Sequence, residues 1–336
     1  MNFYFFLVEP GPPEHAFYEH GLLSVAEGLR ELGYGVYGNR DYWDVGAGPV
    51  VAKTGESPED FDAVLISHEW LLKEGRLPRE FASVRRPRRI YVDQSDGWTT
   101  PACSDRDWPA ELVLRSHFNR HFRYQTRVKP WAFGLTHRII ESTAGGLDAL
   151  NRDPVALCNF RVGHPVRDRL TTRFRRSYSD RFQWDQVVDT TPPSDPMDHS
   201  LWAATGRRHN PAYFHRLRTA QVCLAFGGFF APGFRTAQGS LPGRMAYHVV
   251  QRAGLVTETL TQFDSWRFWE SLAAGCLTVH GPLDAWGARF PVQPEAGVHY
   301  WAFNGGRSIE GGFEGRAWAL EHYSPAAVAR RLLEWL

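Results

Sequence analysis

The sequence predicts an α/β protein made of two Rossmann-like domains. Short apolar runs alternate with segments of helical periodicity, the pattern of a parallel sheet covered on both faces. Polar residues collect at the carboxyl ends of those runs, where such sheets bind ligands. The strand–loop–helix rhythm stops in "ESTAGGLDALNRD" and then restarts. The expected division is 1–145 and 146–336, with the C-terminal helix a candidate to pack back on the first domain. A chain of 336 residues, 43% of them hydrophobic, suffices for two cores of ordinary size.

Each element follows in order. "FYFFLVEPGPPEHAF" reads as a strand ending in a Gly-Pro loop. "HGLLSVAEGLRELGYGVYG" places Leu22, Val25, Ala26, Leu29 and Leu32 at helical spacing, then Gly33 and a short strand. "FDAVLISHEW" and "RRIYVDQSDGW" are strands with polar ends. "AELVLRSHFNRHF" and "VKPWAFGL" add two more pieces. The second half opens with "PVALCNFRVGHPVRDRLTTRF", again strand, polar loop and helix. "TTPPSDPMDHS" reads as an exposed loop or insertion. "TAQVCLAFGGFF" and "GLVTETL" are strands, and "SPAAVARRLLEWL" is a Ser-Pro-capped amphipathic helix.

The charge balance, Lys+Arg 38 against Asp+Glu 37, lacks the basic excess of a nucleic-acid or membrane-surface protein. Cys103, Cys158, Cys223 and Cys276 show no CxxC spacing and read as free thiols, mostly on strands, in a reducing compartment. "MNFYFFLVEP" has no basic lead and is too short to span a membrane, so it reads as a buried strand. A soluble cytoplasmic protein is expected.

The most informative stretch is "QFDSWRFWESLAAGCLTVHGP". Asp264 or Ser265 suits the N-cap of a helix over about 266–274, and Gly275 suits its C-terminal stop. A helix N-terminus presents unsatisfied N–H groups and partial positive charge to an anion. Arg267 adds a guanidinium fork suited to phosphate. Glu270, one turn on, would accept well from ribose hydroxyls. The two together match a nucleoside diphosphate. The plain alternative is an i,i+3 ion pair between Arg267 and Glu270.

"ESLAAGCLTV" resembles the donor-binding segment of GT-B glycosyltransferases of the group 1 kind, where E-x7-E is the pattern and Glu270 stands at its second Glu. Gln262 replaces the first, and Asp264 is the nearest acid. "DSWRFWESLAAGC" followed by "FPVQPEAGVHYWAF" also resembles bacterial sugar-transferase-like proteins. The resemblance covers roughly 220–305 and is architectural elsewhere. It implies two Rossmann-like domains facing a cleft, acceptor on the first and nucleotide sugar on the second. It implies ribose binding by Glu270, and a place for Gln262 near the transferred hexose. Arg161 and Arg167, flanking "GHP" past a strand end, fall where such enzymes hold the diphosphate. Gly228 would allow close backbone approach to the donor.

An inverting reaction needs a base for the acceptor hydroxyl. His15, in the first loop with Glu14 and His20, is one candidate, and Asp96, at a strand end beside Asp93, is another. "SHEW" adds His68 and Glu69. A retaining reaction would need no protein base, only electrostatic stabilisation of the leaving phosphate. The D-x-D of Asp105 and Asp107 lies in a Pro-rich polar loop and reads as loop, so no metal is expected. HExxH and Walker A motifs are absent from the sequence, and no G-x-G-x-x-G sits in the loop that follows the first strand. Trp98, Trp108 and Trp131 are candidate sugar platforms.

The expectation is a metal-independent glycosyltransferase with no cofactor beyond its nucleoside-diphosphate sugar. Its acceptor would be a saccharide, a lipid-linked saccharide, a small molecule or modified DNA, the last through a basic run such as "RRPRR". A sugar-nucleotide epimerase of the same fold, or a non-catalytic nucleotide- or saccharide-binding protein, is the alternative.

Overall fold

The computed structural model describes all residues except 45, 47, 98–99, 147–150, 161–163, 233–244, 247–248, 251, 254 and 306–313. Two sheets dominate. The first holds β1 (Asn2–Phe6), β2 (Gly35–Gly38), β3 (Tyr42–Asp44), β4 (Pro49–Lys53), β5 (Ala63–Ser67), β6 (Arg88–Asp93), β7 (Leu112–Arg115) and β8 (Val128–Pro130). Its order is β3-β4-β2-β1-β5-β6-β7-β8, parallel apart from the β3–β4 edge pair. The second holds β9 (Asp153–Leu157), β10 (Gln183–Asp185), β11 (Ala220–Leu224), β14 (Leu277–His280) and β15 (Trp301–Ala302). Its order is β10-β9-β11-β14-β15, parallel in all its pairs. Between β11 and β14 in sequence, β12 (Phe230–Pro232) and β13 (Val256–Leu260) form a separate antiparallel pair.

The pleat explains why β1 is apolar throughout. Phe3 and Phe5 enter one core with Leu22, Val25 and Leu29 of the His20–Glu31 helix. Tyr4 and Phe6 enter another on the opposite face, with Val64, Ile66 and Phe81. The second sheet has its own core, rich in aromatic rings around Phe174, Trp269 and Trp301.

The C-terminal helix Pro325–Leu333 places Val328, Ala329 and Leu332 in the first sheet's core. It packs on the His20–Glu31 helix at Gly28, where an added Cβ would lie 1.9 Å from the Pro325 carbonyl oxygen. Gly28→Ala is therefore expected to destabilise the fold. Helix propensity favours Ala by about 1 kcal/mol, but backbone overpacking costs about 1–3 kcal/mol. A urea midpoint raised by the substitution would contradict this packing.

Several local expectations change. Ser324 occupies the cap position of the last helix, but its side chain makes no cap hydrogen bond. The first part of "TTPPSDPMDHS" is the exposed loop expected, but its end starts a helix, Pro196–Ala204, capped by Asp195 through Met197 N and Asp198 N. All four cysteines are free and buried. Cys223 alone lies within a strand. Cys158 and Cys276 flank strand ends, and Cys103 lies on the helical turn Pro101–Ser104. Among the described residues, no helix is long and apolar enough to cross a membrane.

Candidate functional site

A cleft of about 610 Å³ opens between the two sheets. Strand ends build both walls. Past β5 come His68 and Glu69, and past β6 come Gln94, Ser95 and Asp96. Across from them are Arg167, Arg208, Tyr213 and the start of the Trp266–Ala274 helix.

That helix forms for the reasons its sequence gives. Phe268, Trp269, Leu272 and Ala273 enter the second core, and Gly275 ends it in the left-handed region at φ 74°. Ser265 stands at the N-cap with no side-chain cap hydrogen bond, so the first-turn N–H groups open on the cleft without that partner. Asp264 faces inward instead. Its Oδ2 accepts from Phe133 N and its Oδ1 from Trp269 Nε1, each at 2.6 Å. Burial pushes its carboxyl up to about 8, against those same donors. Asp264 thus fixes the helix to the segment leaving the first sheet.

Arg267 does not pair with Glu270. Its Nε donates to the Asn159 carbonyl, leaving the fork toward the cleft. Arg167 donates from Nε to Phe226 O at 3.1 Å and lies over the Phe160 ring. Arg208 stacks on the Trp266 ring at 4.1 Å. Among the described residues, none of the three arginines is ion-paired to a carboxylate. Burial, then the charge of Arg267, lowers Arg167 to about 10. Such a cluster favours an anion.

Arg208 arrives on a segment from the second half that leans on the first. The Pro196–Ala204 helix packs Leu201 and Ala204 against the first sheet's core. Arg207, left-handed at φ 65°, pairs with Glu14. Arg208 is not among the residues singled out from the sequence, since nothing local in "GRRHN" marks it.

Glu270 is 4% exposed. Its Oε2 accepts from Tyr213 Oη at 3.1 Å, and its Oε1 lies 3.9 Å from Arg138. Burial raises its pKa, with Arg138 the largest opposing influence. Gln262 explains Gly228: a Cβ there would lie 1.6 Å from Gln262 Oε1, so the glycine admits that side chain. The main chains also bond, Gly228 N to Gln262 O at 2.8 Å.

On the facing wall, Asp96 is two-thirds exposed (66%) and lies 3.4 Å from His117 Nε2. His117 Nδ1 accepts from Phe263 N and Asp264 N, so the imidazole carries its proton on Nε2 and aims it at Asp96. The surrounding walls push Asp96 up, but His117 and Gln262 bring it down to about 2. Arg115, fully buried, grips the main chain on both sides of Asp96, at Ser95 O and Gly97 O, each 2.6 Å away.

Other expected residues fall elsewhere. His15 is exposed, ends the short turn Pro13–His15, and is not on the cleft wall. Arg161 and Trp98 lie outside the described residues. Trp131 is core, and Trp108 packs on Tyr91. Asp105 accepts from Asp107 N in its own turn, away from the cleft. "RRPRR" sits at the amino end of β6, opposite the cleft. Arg88 there bonds the chain's last carbonyls, and Arg89 pairs with Glu111.

No protein-family model matches the chain, and no curated protein does. Its structure does match others. It superposes on AviGT4, a glycosyltransferase involved in avilamycin A biosynthesis, with a TM-score of 0.53. The alignment covers 99% of this chain and 96% of that one, at 12% identity. The fold is GT-B. An alpha-glucosyltransferase in complex with UDP also matches, at TM-score 0.46 and 10% identity, over 99% of this chain and 94% of that one. GT-B architecture accounts for a cleft lined by strand ends from both sheets.

Proposed function

We propose that this chain transfers a sugar from a nucleoside-diphosphate donor to a hydroxyl group. The observation that carries this reading is the convergence of three arginines, without carboxylate partners among the described residues, on the open start of the Trp266–Ala274 helix. A diphosphate seated there meets main-chain N–H groups and guanidinium forks together. Glu270, a turn further along, would accept from the ribose hydroxyls. Gln262, held against Gly228, would lie beside the transferred sugar. The second half would hold the donor and the first the acceptor.

Three guanidinium charges can balance a diphosphate, so the reading calls for no divalent cation and no further cofactor. The acceptor wall carries Glu69 and Asp96, and the Arg85–Arg89 run is at the far end of the sheet. An uncharged hydroxyl acceptor, such as a saccharide or small molecule, fits that wall better than DNA does.

A melting screen with UDP, GDP, ADP, dTDP and CMP, with and without EDTA, tests the donor site. A ligand at about 100 times its dissociation constant should stabilise the fold by about 2.7 kcal/mol. One nucleoside diphosphate is expected to stand out, unaffected by EDTA. A flat screen would overturn the donor-site reading. Isomerisation of a nucleotide sugar without any acceptor would replace transfer by epimerisation.

A further inference from the structure

Two carboxylates on the acceptor wall have opposite environments, and that difference separates their roles. Asp96 is open to the cleft, already accepts the His117 proton, and is held at about 2. A group so acidic stays ionised and takes protons poorly. Glu69 is different. It is the second residue of the His68–Glu74 helix, directly past β5, and its main-chain N–H is tied to the Ser67 cap at 3.1 Å. Its side chain is 23% exposed, lines the cleft, and has His68 Nε2 3.4 Å from Oε1.

We propose that Glu69 is the catalytic base of the transfer, a step that rests on the glycosyl-transfer reading above. Its carboxylate takes the proton of the acceptor hydroxyl. That oxygen bonds to C1 of the donor sugar as the bond from C1 to the diphosphate oxygen breaks. The bonding electrons leave on the diphosphate, against Arg167, Arg208 and Arg267. Asp96 remains ionised and provides negative charge beside the reacting carbon.

The groups facing Glu69 fit this role. Burial pushes the Glu69 carboxyl up to about 7, and Arg208 across the cleft pulls it part of the way back. Burial lowers His68 to about 4, so its ring is neutral and lies beside Glu69 without competing for the proton. Glu19, behind Ser67, is pushed by burial up to about 8 and is largely uncharged at neutral pH. Tyr42 is raised well above its ordinary value by burial and stays protonated. Glu69 is thus the carboxylate poised at working pH, where a general base is most effective.

Water can stand in for an unidentified acceptor. The assay is nucleoside-diphosphate release from UDP-glucose, then from the ADP, GDP and dTDP sugars, by the full chain across pH 5–9. The base works ionised, so the rate should rise with pH through about 7 and level off above it. Glu69→Gln should cut the rate by about a hundredfold and abolish that rise. The melting shift given by the nucleoside diphosphate should not change. Asp96→Asn should slow release but keep the rise near 7. A Glu69→Gln enzyme within threefold of wild type, or one retaining the rise, overturns the assignment. If that variant fails to fold, a wild-type rate flat from pH 6 to 8 overturns it alone. If no nucleotide sugar binds or is cleaved, the transferase reading falls, and this inference with it.

Discussion

Arg115→Met is expected to destabilise the protein by about 3–5 kcal/mol, the cost of leaving a buried charge without its partner. Arg115 and Asp93 are both fully buried and lie 2.8 Å apart. Asp93 also accepts from Ser95 Oγ and Thr100 Oγ1, each at 2.5 Å. Burial alone would raise the Asp93 carboxyl, but Arg115 and these hydroxyls bring it below its ordinary value. Its stabilisation is therefore full above that ordinary value of 3.8 and is lost as the pH falls toward the lower folded value. Urea unfolding at neutral pH measures the loss. Removing both partners, as Asp93→Leu with Arg115→Met, should restore much of it, because an apolar pair leaves no orphaned charge. A single-variant loss under about 1 kcal/mol would mean that water reaches the pair. The site has a stake in this pair, since Arg115 also holds the carbonyls on either side of Asp96.

Local patterns carried far in this sequence. The Trp266–Ala274 helix was legible from its apolar spacing, its Ser265 cap position and Gly275. The parallel sheets were legible from apolar runs with polar ends, and Arg167, Arg267 and Glu270, singled out from the sequence, line the cleft. Assembly across distant stretches was not legible. His117 reaches Asp96 only because β6 and β7 are neighbours and the main chain at Phe263 turns Nδ1 away. Tyr213 meets Glu270 across 57 residues of sequence. Glu69 had one local signal, its place directly after the run "FDAVLIS". His15 lies in the first loop, but Pro12 and Pro13 open a turn that leaves it in solvent. His20, the first residue of the helix that follows, is buried against the Gly134 carbonyl.

The arginines themselves allow a test with opposite signs for folding and binding. Arg167→Met with Arg267→Met should weaken binding of the favoured nucleoside diphosphate by about 10²–10⁴-fold. Each lost charge-assisted hydrogen bond is worth about 1.5–3 kcal/mol, and the sum shrinks when neighbours couple. Affinity for the bare nucleoside should hardly change, because Glu270 is untouched. Unliganded stability should hold or rise. Met keeps much of the apolar stem against Phe160, while the repulsion that helps lower Arg167 disappears. Lost hydrogen bonds to Phe226 O and Asn159 O count against that gain. A group kept for binding at some cost to the empty fold gives this combination. A structural role would give the reverse: a clear drop in melting temperature, with nucleoside and nucleoside diphosphate weakened alike. That second outcome would remove the diphosphate from the start of this helix, and with it the basis for placing the donor in the second half.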